Sequence, residues 1–268
     1  MYKIKGYRIP EGGRTSKGTA IVNILQLESD EKVTATIPIK AFEEDKYLVM
    51  MTKNGTIKKT ALTEYDTARK GGIRAIELED DNDLINVILT DGTKTLIIGT
   101  HGGNAIRFDE NDVRPMGRVA RGVRGIKLED GDYVVGISVC RDDGEVLVVS
   151  EQGFGKRTSL DEYKIQTRGG KGVTCYKISE KTGEVAGIHI VDDSNDIMLI
   201  TSEGVIIRMP AADINTFGRV TKGVTMMRLD EGVKIVGVAL TEHVEDEEAG
   251  EEKPAEETPH ENNENAGE

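Results

Sequence analysis

The 268 residues carry 35 Lys and Arg against 48 Asp and Glu, a net charge of −13, and 37% of them are hydrophobic, enough for one large domain or two small ones. Two cysteines, Cys140 and Cys175, set up no disulfide framework and point to a reduced, cytosolic compartment. No run approaches the ~20 apolar residues of a membrane span, and the start Met1-Tyr2-Lys3-Ile4-Lys5-Gly6 has no signal-peptide pattern. Secreted mini-proteins, membrane proteins and zinc fingers are excluded.

In chain order, the first patterned element is a base followed four residues later by glycine, Arg14 to Gly18, with Lys17 between them. Val33-Thr34-Ala35-Thr36-Ile37 is β-branched and reads as a strand. A second pattern then begins: an aliphatic run, Thr or Ser, two residues, Gly, and a base four positions on. Its first copy is Leu48-Val49-Met50-Met51-Thr52, Gly55 and Lys59. Leu62-Thr63-Glu64-Tyr65 suits a single helical turn. A shifted copy of the base–glycine pattern follows at Arg69, Lys70 and Gly72, and Leu84-Ile85-Asn86-Val87-Ile88-Leu89 reads as another strand. Asp91-Gly92 marks a turn.

The same sequence of elements then recurs. The aliphatic pattern returns at residues 96–107, 146–157 and 197–208, with its glycines 48, 50 and 51 residues apart. The base–glycine pattern returns at Arg118, Arg121 and Gly122, at Arg168, Lys171 and Gly172, and at Arg219, Lys222 and Gly223. Counting from Gly18, those glycines are 54, 50, 50 and 51 residues apart. Leu160-Asp161-Glu162-Tyr163 repeats the helical turn, and Ile235-Val236-Gly237-Val238-Ala239-Leu240 closes the last unit as a strand. A period near fifty residues signals one supersecondary unit repeated. The units are all-β, with about four strands each, as in the blades of a propeller-like radial array. Four full units and a partial N-terminal one give four to five blades.

Residues 242–268 hold 12 acids and one base, Lys253, which leaves the first 241 residues at −2. Apart from Val244 the segment has almost no aliphatic residues, and it reads as a disordered acidic tail beyond a folded body at 1–241. Such a tail either solubilises the body or acts as a tethered polyanion competing for a basic surface on it. An isolated Lys or Arg in a turn is ordinarily just solvated. Recurrence in one register instead places Arg14, Lys17, Arg69, Lys70, Arg118, Arg121, Arg168, Lys171, Arg219 and Lys222 on one rim, a belt suited to a bending polyanion. The densest copy is Gln166-Thr167-Arg168-Gly169-Gly170-Lys171-Gly172, whose glycines permit positive φ and close approach. Its amides can form an anion nest, and Arg168 and Lys171 suit phosphate oxygens without sequence readout.

These residues resemble a known family. Gln166 to Gly172 matches at every position the seven-residue gyrase A box. Asn54-Gly55-Thr56-Ile57-Lys58-Lys59-Thr60, Gly153-Phe154-Gly155-Lys156-Arg157-Thr158 and Ile21-Val22-Asn23-Ile24-Leu25-Gln26-Leu27 are similar to the C-terminal domain of the DNA gyrase A subunit. The resemblance covers residues 1–241 and implies a β-pinwheel, a disc of five to six blades in the intact domain with strands exchanged between neighbours. It implies chiral wrapping of double-stranded DNA around a basic perimeter with positive handedness, in support of ATP-dependent negative supercoiling. Gln166, Arg168, Gly169, Gly170, Lys171 and Gly172 are the box residues it assigns to DNA. The implied partners are gyrase B and the rest of the gyrase A subunit, in an A2B2 assembly and in a cytoplasmic, nucleoid-associated setting. No cofactor is expected on this chain, ATP and Mg belonging to other domains. Nor is catalysis expected of it alone, since none of the seven tyrosines stands in an Arg-Tyr-Thr context like the family's nucleophile.

The box falls late here, whereas the family's principal box lies in the first blade. The chain also starts inside a repeat, so a fragment or split product lacking the first blade is expected. The alternatives are the topoisomerase IV C-terminal domain, whose box is usually degenerate, and a protein-binding β-propeller, which would show a hydrophobic face. Gly155-Lys156-Arg157 fails the phosphate-loop pattern. Asp192, Ser194 and Asp196 lack a calcium loop's glycine and read as a hairpin turn.

Overall fold

The structure is a computed structural model, and it describes residues 1–12, 16–25, 27, 31–67, 69 and 71–243. Arg14, Lys70 and nearly all of the acidic tail therefore lie outside the described residues. Among those described, the chain forms fifteen strands in four antiparallel sheets.

The first blade contains β1 (Tyr47–Thr52), β2 (Thr56–Ala61) and β3 (Leu84–Thr90). The second contains β4 (Thr95–Thr100) and β5 (Asn104–Asp109), a detour strand β6 (Val123–Arg124), and β7 (Val134–Val139). The third repeats this as β8 (Glu145–Ser150), β9 (Phe154–Ser159), β10 (Val173–Thr174) and β11 (Val185–Val191). The fourth repeats it as β12 (Asn195–Thr201), β13 (Ile206–Pro210), β14 (Val224–Thr225) and β15 (Ile235–Glu242).

The two-residue strands do not join their own blades. β6 completes the first sheet, in the order β3-β1-β2-β6. β10 pairs with β5 of the second blade, and β14 with β9 of the third. Each blade therefore lends a strand to the one before it. β13 has no such neighbour among the described residues, and its edge leaves Val205 and Ile206 half exposed. β3, β7, β11 and β15 pack against one another in sequence and form the inner side. The exchanged strands consequently mark the outer rim. In every blade the register slips at one equivalent place, such as Met51/Thr52 and Gly99/Thr100, a bulge that raises local twist.

Packing explains the uninterrupted aliphatic runs. On β1, Val49 and Met51 enter the core shared with the second blade, while Leu48 and Met50 enter the one facing the N-terminal segment. On β8, Val146 and Val148 face the second blade, and Leu147 and Val149 the fourth. A strand sandwiched between two blades buries both faces and has no reason to alternate. At roughly 1.5–3 kcal/mol for each buried aliphatic side chain, these inter-blade cores are the main favourable term.

The four-strand expectation holds for three sheets. Residues 33–37 differ: they form no strand. Their counterparts pair with the aliphatic strand of their own repeat, and among the described residues no such strand stands beside 33–37. Ile37 instead packs, with Ile39 and Phe42, against Leu48 and Met50. The N-terminal segment also docks through the Met1 backbone, which exchanges hydrogen bonds of 2.8 and 2.9 Å with Ile73. Asp192 and Ser194 form a hairpin turn closed by a 2.8 Å bond from the Ser194 amide to the Asp192 carboxylate.

Candidate nucleic-acid interface

Each belt loop runs from a short 3-10 turn to an exchanged strand. Turns at Glu110–Asp112, Leu160–Glu162 and Ala211–Asp213 precede loops that end at Gly122, Gly172 and Gly223. The glycines have φ of +111°, +74° and +69°, and they steer the chain onto the preceding blade. Because β6, β10 and β14 are the outermost strands, the loops lie at the rim, with equivalent bases at equivalent places.

The bases divide into two groups. Arg121, Lys171 and Lys222, each immediately before its glycine, are exposed. Arg121 meets Glu77 at 3.3 Å, and Lys171 stands 3.6 Å from Glu129. Such exposed pairs contribute ~0.2–1 kcal/mol and yield readily to a competing anion. Lys17 and Arg69 are also exposed, in less regular surroundings.

The bases at the other position turn inward. Arg168 is half-buried, and its Nε and Nη1 donate to the carbonyls of Asp112 and Arg124 at 2.8 and 2.9 Å. Its amide donates to the Asp112 carboxylate at 3.2 Å. Arg219 repeats this one blade on: its amide donates to Glu162 at 2.6 Å and its Nη1 to the Thr174 carbonyl. Arg118 is likewise half-buried. Within the box, the Gln166 amide donates to the Arg107 carbonyl at 2.8 Å, and the Gly169 amide to Gly125 at 2.6 Å. The carbonyl of Gly170 accepts from the Lys127 amide at 2.8 Å. The box is thus fastened along its length to the preceding repeat, at β5, at the 3-10 turn, and at and just beyond β6.

Beneath the loops lie lysines that sequence reasoning passed over. Lys58 and Lys156 are buried. The Lys58 ammonium donates to Ala75 at 2.7 Å and to the Arg118 carbonyl; Lys156 donates to the Gly218 and Arg219 carbonyls and to Thr221 Oγ1. The equivalent position under the box is Ile106, 3.6 Å from where a Cβ on Gly170 would stand. Burial pushes both ammonium groups down to about 8, with Arg118 adding to the effect at Lys58. The unfolded chain, with lysines near 10.5, binds more protons between those limits. Wild type should therefore gain stability relative to a Lys58→Met/Lys156→Met variant as pH rises from 8 to 10.5. Thermal melts of both proteins at pH 7 and 10 check this, and a Tm of wild type that falls relative to the variant's between those pH values would contradict it.

The bases four residues beyond the pattern glycines also fasten blades. Lys59, fully buried, pairs with Glu110 at 2.8 Å. Arg107 Nη1 donates to the Leu160 and Tyr163 carbonyls, and Arg157 Nε to the Ile214 carbonyl at 2.7 Å. Each reaches the helical turn of the next repeat or the loop beside it. Arg208, in the last blade, turns to Asp196 at 2.6 Å instead. Their recurrence in register was the available signal. Both cysteines are free and buried, and burial pushes the Cys175 thiol up to about 12.

The family model described as DNA gyrase C-terminal domain, beta-propeller, matches residues 1–40, 46–91, 94–141, 144–192 and 195–242, five successive repeats. The chain is 48% identical to the DNA gyrase A subunit of Clostridium acetobutylicum over 89% of its own length, and 43% identical to that of Salmonella typhimurium over 92%. It spans 29% and 28% of those relatives. Among solved structures, the C-terminal domain of DNA topoisomerase IV superposes with TM-score 0.79 at 32% identity, covering 84% of this chain and 71% of that one. A DNA gyrase A C-terminal domain superposes with TM-score 0.75 at 27% identity, covering 83% and 75%. No described helix is long and apolar enough to cross a membrane. With its propeller-like blades and their repeat matched from end to end, the chain belongs to the DNA gyrase C-terminal domain family.

Proposed function

We propose that this chain binds duplex DNA along its rim without reading sequence and wraps it with positive handedness. In this reading it acts with gyrase B and the rest of the gyrase A subunit in ATP-dependent negative supercoiling. The observation that carries the reading is the register of exposed cations, Arg121, Lys171 and Lys222, each set before a positive-φ glycine at the outer edge of successive blades. Consecutive blades then present phosphate contacts along a curved path, which positions a backbone and specifies no base. Affinity falls steeply with salt, with a log–log slope of about −0.9 per neutralised phosphate. Sequence preference is slight and follows DNA bendability.

The test is topological. Nicked circular DNA is incubated with the chain and ligated, and the linking-number change is read. A positive shift is expected. Absence of binding at low salt by folded protein lacking residues 242–268 would overturn the reading in favour of a protein-binding scaffold. The structural likeness to topoisomerase IV favours a second reading as that paralogue's domain. Binding without a linking-number shift would support it, although the intact box at residues 166–172 weighs against it.

A further inference from the structure

The recurrent arginine of the belt does not face outward. Arg168 and Arg219 occupy the same place in successive repeats, and each directs its guanidinium at a backbone carbonyl of the preceding exchanged strand, Arg124 and Thr174 respectively. Each also donates its amide to an acid of the preceding 3-10 turn, Asp112 and Glu162. Arg168 adds a third bond, from Nε to the Asp112 carbonyl. A planar guanidinium with donors in a fixed fork suits two carbonyls at once, which an ammonium cannot match. Three residues on, Lys171 has 65% of its side chain exposed, and among the described residues its ion-pair partner is Glu129, at a loose 3.6 Å.

We propose that Arg168 is a positioning residue, a staple that holds the box against the loop of the preceding blade, and that Lys171 carries the box's phosphate-facing charge. The division of labour rests on the DNA-binding reading above; the staple itself does not. It follows that the box acts through the relative placement of two neighbouring loops as much as through its own charge. Arg219 does the same for the next pair of loops, with Lys222 as its outward cation.

Two measurements on the full chain decide this. The first is amide hydrogen exchange at Lys127 and Gly169, whose bonds to the Gly170 and Gly125 carbonyls tie the box to the preceding repeat. Arg168→Lys keeps the charge but loses the fork, and exchange there should speed by about tenfold or more, the scale of losing a bond from a charged donor. Lys171→Ala should leave that exchange unchanged. The second is the salt dependence of binding to linear duplex DNA. Lys171→Ala should reduce the slope by about 0.9, whereas Arg168→Ala should leave it near the wild-type value. Unchanged exchange in Arg168→Lys, or a slope reduced by about 0.9 in Arg168→Ala with exchange unchanged, would overturn the proposal. Wild-type protein with no salt-dependent DNA binding would overturn the proposed function and the role given to Lys171. The exchange result would still decide the staple.

Discussion

Replacing Glu110 by alanine is expected to cost 3–5 kcal/mol of stability, on the order of what removal of one member of a buried ion pair costs. Glu110 is fully buried in the helical turn of the second blade, and its carboxylate joins two blades. It accepts from Lys59 at 2.8 Å, from the Thr90 hydroxyl at 2.7 Å and from the Lys94 amide at 2.8 Å. Lys59 belongs to β2 and Thr90 to β3 of the first blade. Without the carboxylate the Lys59 ammonium stays buried, with Asn111 at 3.3 Å as its remaining side-chain acceptor. The Thr90 hydroxyl loses its acceptor as well. Urea denaturation midpoints measure the loss, and a cost below about 1 kcal/mol would refute the account. A Lys59→Met/Glu110→Leu double variant should recover most of it, because an apolar pair of similar volume needs no desolvation of charge.

On the wrapping proposed above, Gly172→Ala should abolish the positive linking-number shift while keeping every charge. At φ +74° an alanine is strained, about 1–2 kcal/mol for the left-handed conformation alone. The added Cβ would also overlap the Ala105 carbonyl oxygen. Relief requires β10 to move away from β5, which breaks the pairing of Val173 with Ala105 and of Thr174 with Asn104. The C-terminal end of the box, with Lys171, would then be displaced from its place on the second blade. Binding at low salt and its salt slope should survive, since they depend on the number of cations. Topology should not, because handedness depends on where those cations stand. Retention of the full shift would show that the exchanged strand is not needed to set the path of the DNA.

How far the sequence could be read depended on the range of the interaction. The blades were legible because packing between them imposes uninterrupted aliphatic runs such as Val146-Leu147-Val148-Val149, and a fixed period multiplies the signal. The rim loops were legible for the same reason. The exchanged strands could not be seen in the residues themselves: Val123 and Arg124 are too short for periodicity, and their partners Ile57 and Thr56 lie far back in the chain. Strand exchange was expected from the family resemblance alone. Nothing in the sequence marked Lys58 and Lys156 as buried, because it is the next repeat's loop that folds over them. Recurrence singled out Arg168, but its residue type could not tell which way the guanidinium turns. Residues 33–37 have strand composition, yet composition supplies no neighbour to pair with.

The order of strands also carries a schedule. The first blade spans residues 47–90 and gains its outer strand only with residues 123–124. The second waits for residues 173–174, and the third for 224–225. On a ribosome, each blade therefore stays one strand short until most of its successor has emerged, and assembly trails synthesis by roughly thirty to sixty-five residues throughout. A truncation ahead of the exchanged strand in the second, third or fourth repeat damages two blades, the one it interrupts and the finished-looking one before it.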